Sequence, residues 1–323
     1  SSLRNNRKKA GVDTLIAASA KQATQTAIVS AVANLYYTMQ MLDEQLRTTN
    51  ETVVLWKKNV DAMEAMQEAG LTTNAAVAQA RANFYELQTT VPTLEHSIHQ
   101  TENPLFVILT EAPHPIARSA FNADAFPADF STGVPLQLLS SRPDVKIAEL
   151  QLASAFYNTN IARSAFYPSL TLSGTAGWTN SAGSMVLNPA KFIANAVGSL
   201  VQPLFAQGKL RAQYKIAKIE QESLTLDFRN TLLSAGQEVS DALSAYQTAI
   251  AKAEKRQLEV EQLEQALDKT LFLFSHGNTT SYLETLTAQQ SLLSAQLSLI
   301  SDKYDKLQAG ISLYQALGGG RDK

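Results

Sequence analysis

The sequence predicts a mainly α protein with a small β part, in which long antiparallel helical hairpins are joined to a pair of strands. Two long stretches carry apolar residues in alternating steps of four and three, the pattern of a heptad seam. Glycine and proline are scarce, 14 and 10 in 323 residues, so little interrupts the helices. One short segment switches period: Leu170, Leu172, Gly174, Ala176 and Trp178 alternate with Ser169, Thr171, Ser173, Thr175 and Gly177, as in a strand with one apolar and one polar face.

Residues 1–11, with Leu3 and then Arg4, Arg7, Lys8 and Lys9, read as a stub of a first strand hairpin or the start of a helix. They have the character of mid-protein sequence, so the chain is expected to be truncated at its amino-terminus. Residues 12–102 form the first long helical hairpin. Its seam runs through Ile28, Val32, Leu35, Met39, Leu42, Leu46, Val53, Trp56, Val60 and Met63. Gly70 marks the tip, Thr72, Thr73 and Asn74 follow as turn residues, and the return helix extends to roughly Gln100. Residues 103–142 crowd Pro104, Pro113, Pro115, Pro127 and Pro135 together and read as a connector.

Pro143 suits a first helical turn, and residues 143–167 continue as a helix through Val145, Ala148, Leu152, Ala155 and Ile161 until Pro168 stops it. Residues 168–205 make a strand hairpin, its second strand around Ala194 to Leu204. Residues 206–318 make the second long helical hairpin, and 319–323 are a tail. The first helix of that hairpin runs from Lys209 to Phe274 with a seam of Leu232, Ala235, Val239, Ala242, Tyr246, Ala249, Ala253, Val260, Leu263 and Leu267. At 1.5 Å per residue it is about 100 Å long, which implies an elongated protein. Gly277 marks the second tip, and the return helix spans about Tyr282 to Leu317. Gly70 to Asn74 matches Gly277 to Ser281, an internal repeat of the two hairpins.

Several function classes are excluded by composition. A net charge of −2 with 17% charged residues supplies no basic field for nucleic acid. There is no cysteine, hence no disulfide, thiolate metal site or cysteine nucleophile. No stretch approaches the ~20 consecutive apolar residues of a spanning helix, so a membrane crossing must use strands. Two strands leave edges unsatisfied in lipid, where each orphan group costs several kcal/mol, so closure requires other strands or other copies of the chain. Leu170, Leu172 and Trp178 then form the lipid-facing row, with the hydroxyls opposite facing a lumen. No serine-hydrolase elbow, phosphate-binding loop, dinucleotide fingerprint or zinc-protease motif occurs, so neither enzyme activity nor a cofactor is expected. His96 and His99 have helix-face metal spacing beside Glu95 and Glu102, but exposed polar residues account for them as well, and no metal is assigned.

Ser141-Arg142-Pro143-Asp144-Val145, followed by Ala148-Glu149 and Ile161-Ala162-Arg163-Ser164-Ala165-Phe166-Tyr167-Pro168-Ser169-Leu170, resembles a signature of the TolC-like outer-membrane efflux factor family. So do Leu204-Phe205 with Gly208-Lys209-Leu210-Arg211, then Gln237-Glu238-Val239 with Asp241-Ala242-Leu243, and the closing Ala316-Leu317-Gly318-Gly319-Gly320. The likeness is to the lipoprotein branch that serves RND-type multidrug or metal efflux pumps. It implies a homotrimer in the bacterial outer membrane, each subunit giving strands to one transmembrane β-barrel and helices to a periplasmic tunnel. It also implies a periplasmic adaptor and an inner-membrane RND-type pump as partners, and passive passage of drugs, other toxic solutes or metal ions. Its pore constriction falls just past the helical tips, where Glu284 and Thr287 stand here, with Thr73 and Asn74 as counterparts at the first tip. The rival reading is a structural or signalling coiled-coil protein with a helical hairpin, which leaves the period-two segment around Leu170 unexplained.

Overall fold

The computed structural model describes residues 2–124, 126, 141–178, 192–202, 206–276 and 282–319. Among them the elements run α1 (Ser2–Glu68), α2 (Asn74–Leu109), α3 (Pro143–Ser164), β1 (Ser169–Trp178), β2 (Phe192–Val201), α4 (Lys209–His276) and α5 (Tyr282–Ala316). The tip at Gly277, the Trp178 side chain, the loop between the strands and most of the connector lie outside the described residues.

Of the two readings of the chain's start, strand stub or helix start, residues 2–11 take the second: α1 is helical from Ser2, because Leu3, Arg4, Arg7, Lys8 and Lys9 are good helix formers. Gly11 costs such a helix only about 1 kcal/mol, which a run of this length absorbs. The return helix of the first hairpin does not stop near Gln100 but runs through Pro92 and Pro104 to Leu109. Each proline removes one intrahelical bond, orphaning the carbonyls of Gln88 and Gln100. Both prolines and both glutamines are exposed, so solvent can supply the missing bonds. Pro104 and its neighbours to Leu109 therefore belong to α2 rather than to the connector.

The chain divides into two units, Ser1–Lys21 with Pro143–Leu233, and Gln22–Arg142 with Ser234–Lys323. In the first unit the start of α1, α3 and the start of α4 pack together. Ser154 donates to Asp13 at 3.1 Å, Thr159 donates to the Ala217 carbonyl at 3.1 Å, and the Phe166 and Tyr214 rings meet edge to face at 6.1 Å. The two strands pair antiparallel from Ser169 opposite Val201 to Trp178 opposite Phe192.

In the second unit each hairpin closes on its own apolar seam. Trp56, Val60 and Met63 of α1 bury against Val77, Ala80, Phe84 and Leu87 of α2, and Leu286 of α5 joins the same cluster. Val260 of α4 packs on Ala295 and Leu299 of α5. Of the expected α1 seam, Met39, Leu42, Trp56, Val60 and Met63 are buried, whereas Ile28 stays 47% exposed. The contact between α1 and α5 has a different chemistry. Thr38 meets Tyr304 at 2.8 Å, Gln45 donates to Ser301 at 3.1 Å, and Asn59 donates to Gln289 at 2.9 Å.

Asp302, whose side chain is only 5% exposed, bonds Lys252 at 2.7 Å and Arg256 at 3.1 Å, tying α5 to α4. Burial pushes its carboxyl up, but the hydrogen bonds from Lys252 and Arg256 outweigh burial and hold it below the ordinary aspartate value. A depressed folded value means that its stabilisation is present above the unfolded value and lost as pH falls through the folded one. Asp302→Asn is expected to cost about 1.5 kcal/mol at neutral pH and nothing once the native carboxylate is itself protonated. Thermal melting of both proteins from neutral pH down through the acid range checks this: the two curves should converge in acid.

Candidate functional site

The first tip is built by a turn that only a glycine makes easily. Gly70 sits at φ +72°, the Gly70 N–H donates to the Gln67 carbonyl at 2.9 Å and the Leu71 N–H to the Met66 carbonyl at 2.8 Å, which closes α1. Thr73 then caps α2, its hydroxyl oxygen accepting from the Ala76 N–H at 3.2 Å. Asn74 accepts from the Gln67 side chain, linking the two ends of the turn. Thr73 and Asn74 are both exposed. Thr73→Ala should lower the stability of the tip by about 1 kcal/mol, measurable as faster amide exchange in the first turn of α2.

At the other tip, Glu284 lies in the first turn of α5. Leu283, Glu284 and Thr287 share one exposed face of that helix, while Thr285, Leu286 and Gln289 form the buried face. Leu286 is 5% exposed and committed to the apolar cluster, so it presents nothing to a lumen. The Thr287 hydroxyl donates to the Leu283 carbonyl at 2.8 Å. The polar pair expected at the constriction is therefore brought together on one surface, with Leu283 beside it.

The strand register sorts residues by face. One face carries Leu170, Leu172, Gly174 and Ala176 opposite Leu200, Gly198, Ala196 and Ala194. The other carries Ser169, Thr171, Ser173 and Thr175 opposite Val201, Ser199, Val197 and Asn195. The second strand thus places Val197 and Val201 on the hydroxyl face, which is less uniformly polar than the first strand alone implied. Leu170, Leu172 and Leu200 are 66%, 78% and 71% exposed, a row of large apolar side chains without protein cover in a single chain. No described helix is long and apolar enough to cross a membrane.

Sequence reasoning missed the contacts that fix the connector and the chain's last helical turn. Arg118 reaches Asp43 of α1 at 2.7 Å and Glu102 of α2 at 2.7 Å. The Phe126 ring covers Gly310 of α5 so closely that a Cβ there would lie 3.0 Å from it. Arg142 donates to the Ala316 carbonyl at 2.9 Å and to Glu238 at 2.6 Å. The prolines around Arg118 and the motif around Arg142 flagged these segments, but not their partners. His99 lies 3.2 Å from Glu102, and among the described residues no group of three potential metal ligands gathers there.

A family model described as outer membrane efflux protein matches residues 1–111 and 134–319. The chain belongs to the outer membrane efflux protein family. Among its relatives, a probable outer membrane lipoprotein, SilC, of Salmonella typhimurium is 28% identical over 302 residues, 93% of this chain and 65% of that protein. The pyoverdine export outer membrane protein OpmQ of Pseudomonas putida is 32% identical, covering 93% of this chain and 63% of its own length. The chain thus spans just under two thirds of the curated relatives it matches. The solved structure of CusC, described in terms of folding and transmembrane channel formation, superposes with a TM-score of 0.91 at 28% identity over 99% of this chain and 74% of that one. The outer membrane protein VceC of Vibrio cholerae gives 0.88 at 25% identity over 99% of this chain and 76% of that one.

The fold class of this efflux family member is accordingly the one expected: helical hairpins of a tunnel wall joined to strands of a β-barrel. Its place is the bacterial outer membrane, with the helices on the periplasmic side. The matched relatives are efflux channel proteins rather than enzymes, and none of the matches supports a structural or signalling coiled coil.

Proposed function

We propose that the chain forms part of one subunit of a passive, trimeric exit duct in a tripartite efflux system. The family match along nearly the whole chain carries this reading. It is supported by the uncovered leucine row of the strand pair, which needs lipid on one side and further strands at both edges. A periplasmic adaptor and an inner-membrane RND-type pump supply partner and energy, and the duct itself catalyses no reaction. The cargo is a class of small molecules: drugs, other toxic solutes or metal ions. Relatives of similar identity are named for cation efflux, pyoverdine export and toluene efflux, so overall identity does not choose among cargoes.

In this reading the exposed face of Glu284 and Thr287 lines the narrow end, with Thr73 and Asn74 at the neighbouring tip. Three copies of Glu284 around a threefold axis would attract cations and repel anions. The full-length protein in planar bilayers should be cation-preferring, and Glu284→Lys should lower that preference several-fold. Unchanged selectivity removes Glu284 from the constriction, and a monomer in mild detergent removes the duct.

A further inference from the structure

The helical ends that adjoin the strands carry charge of one sign. Nine of the chain's 27 basic residues fall in three short stretches, residues 2–11, 157–168 and 206–219, and none of its 29 acidic residues does. All three stretches belong to one unit, and they lie side by side. Lys8 of α1 sits over the Tyr157 ring of α3 at 5.6 Å, Ser154 meets Asp13 at 3.1 Å, and Thr159 meets the Ala217 carbonyl of α4 at 3.1 Å. These contacts fix the direction: lower numbers on α1 and α4, and higher numbers on α3, approach Ser169 and Val201, where the strand pair begins. Arg4 therefore lies about 6 Å nearer the strands than Lys8, and Lys209 and Arg211 stand in the first turn of α4.

Local structure does not account for these charges. Among the described residues only Lys9 of the nine has a carboxylate partner, Asp13 at 2.9 Å, and the others are exposed. Lys209 and Arg211 face the positive end of the α4 dipole, with no acid in that first turn to offset them. Arg4 with Lys8, and Arg211 with Lys215, are like charges four residues apart, which repel. The arrangement is nonetheless made twice: Arg4 and Lys8 precede Gly70 by the same number of residues as Arg211 and Lys215 precede Gly277. Arg211, Lys215 and Lys218 share one face of α4, turned away from the Tyr214 and Ala217 side that meets α3. Beside these cations the uncovered apolar surface begins, with Tyr167 63% exposed and Leu170 opposite Leu200 heading the leucine row. An aromatic side chain at the boundary with cations just beyond it matches a headgroup layer in both polarity and charge.

We propose that this belt binds anionic phospholipid headgroups of the periplasmic leaflet, with Arg163, Lys209 and Arg211, next to the strands, making the closest contacts. The inference rests on the reading that the strand pair crosses the membrane, and it adds the class of lipid held at the periplasmic rim. The test reconstitutes the full-length protein in phosphatidylcholine bilayers with a trace of spin-labelled phosphatidylglycerol or, in a matched sample, spin-labelled phosphatidylcholine. Electron spin resonance reads the fraction of label slowed at the protein surface. Phosphatidylglycerol should associate about fivefold more strongly in dilute buffer, and molar salt should remove most of that preference. Combining Arg163→Gln, Lys209→Gln and Arg211→Gln should lower the ratio to about twofold or less. The charge-keeping combination of Arg163→Lys, Lys209→Arg and Arg211→Lys should retain it. So should Lys21→Gln, Lys146→Gln and Arg229→Gln together, which are exposed in the same unit but about 25 Å further along their helices. Slowed lipid without headgroup preference in the unaltered protein, a preference that survives the first combination, or equal loss in the distant one would overturn the proposal and leave the membrane-crossing strands standing. No slowed lipid of either kind would bring down both.

Discussion

Leu172→Arg will remove the assembled channel from the outer membrane. Leu172 is 78% exposed in the middle of β1 and shares its face with Leu170, Leu200 and Ala176. A charge on the lipid side of a barrel near mid-depth costs about 2–4 kcal/mol, and the proposed trimer would carry that cost three times. Thr171→Arg, one residue away on the opposite face, is the matched control: the alternation of a strand sends its side chain into the hydroxyl row, where water hydrates it. Outer-membrane fractions run on gels before and after heating should show the trimer for Thr171→Arg and lose it for Leu172→Arg. Equal tolerance of both substitutions would mean that neither face meets lipid, and the assignment of Leu170 and Leu172 to the bilayer would fall.

The same contrast explains what the sequence could and could not disclose. Element identity was legible wherever a period repeats: the heptad residues Met39, Trp56, Val60 and Met63 are buried as their spacing requires, and so are Ala235, Val239, Ala242, Tyr246 and Ala249 on α4. The period-two row at Leu170 and Leu172 identified β1 to the residue at its start. Boundaries set by single breakers were less legible. Pro92 and Pro104 end a helix only when the orphaned carbonyl has no alternative partner, and solvent at Gln88 and Gln100 is such a partner, a property of three-dimensional exposure. The face of the second strand was hidden for another reason. Val197 and Val201 join the hydroxyl row because register, rather than composition, decides which side of a ribbon a residue occupies. Least legible were contacts between residues far apart in the chain. Gly310 of α5 is the notch that receives Phe126, a pairing no local pattern announces, and Gly310→Leu would force that ring away.

Arg142→Ala will loosen the end of the last helix. The final turn of α5 leaves carbonyls without intrahelical partners, and Gly318 at φ +69° lets the chain recover two of them: its N–H donates to the Gln315 carbonyl and the Gly319 N–H to the Tyr314 carbonyl. The Ala316 carbonyl is satisfied by Arg142, whose guanidinium also donates to Glu238 on α4. Arg142 is 6% exposed, so truncation leaves a buried acceptor with no donor and takes away a positive charge from the negative end of a helix. Glu238 is 57% exposed and regains water, which limits the loss to about 2 kcal/mol. That corresponds to roughly thirtyfold faster amide exchange across residues Leu313 to Ala316 if these open locally. Arg142→Lys keeps the charge but lacks the planar fork that serves two acceptors at once, so it should lie between the two. Exchange measured by mass spectrometry on the three proteins decides it: protection of the last turn unchanged in Arg142→Ala would show that Gly318 alone secures the helix end and that the arginine is dispensable there.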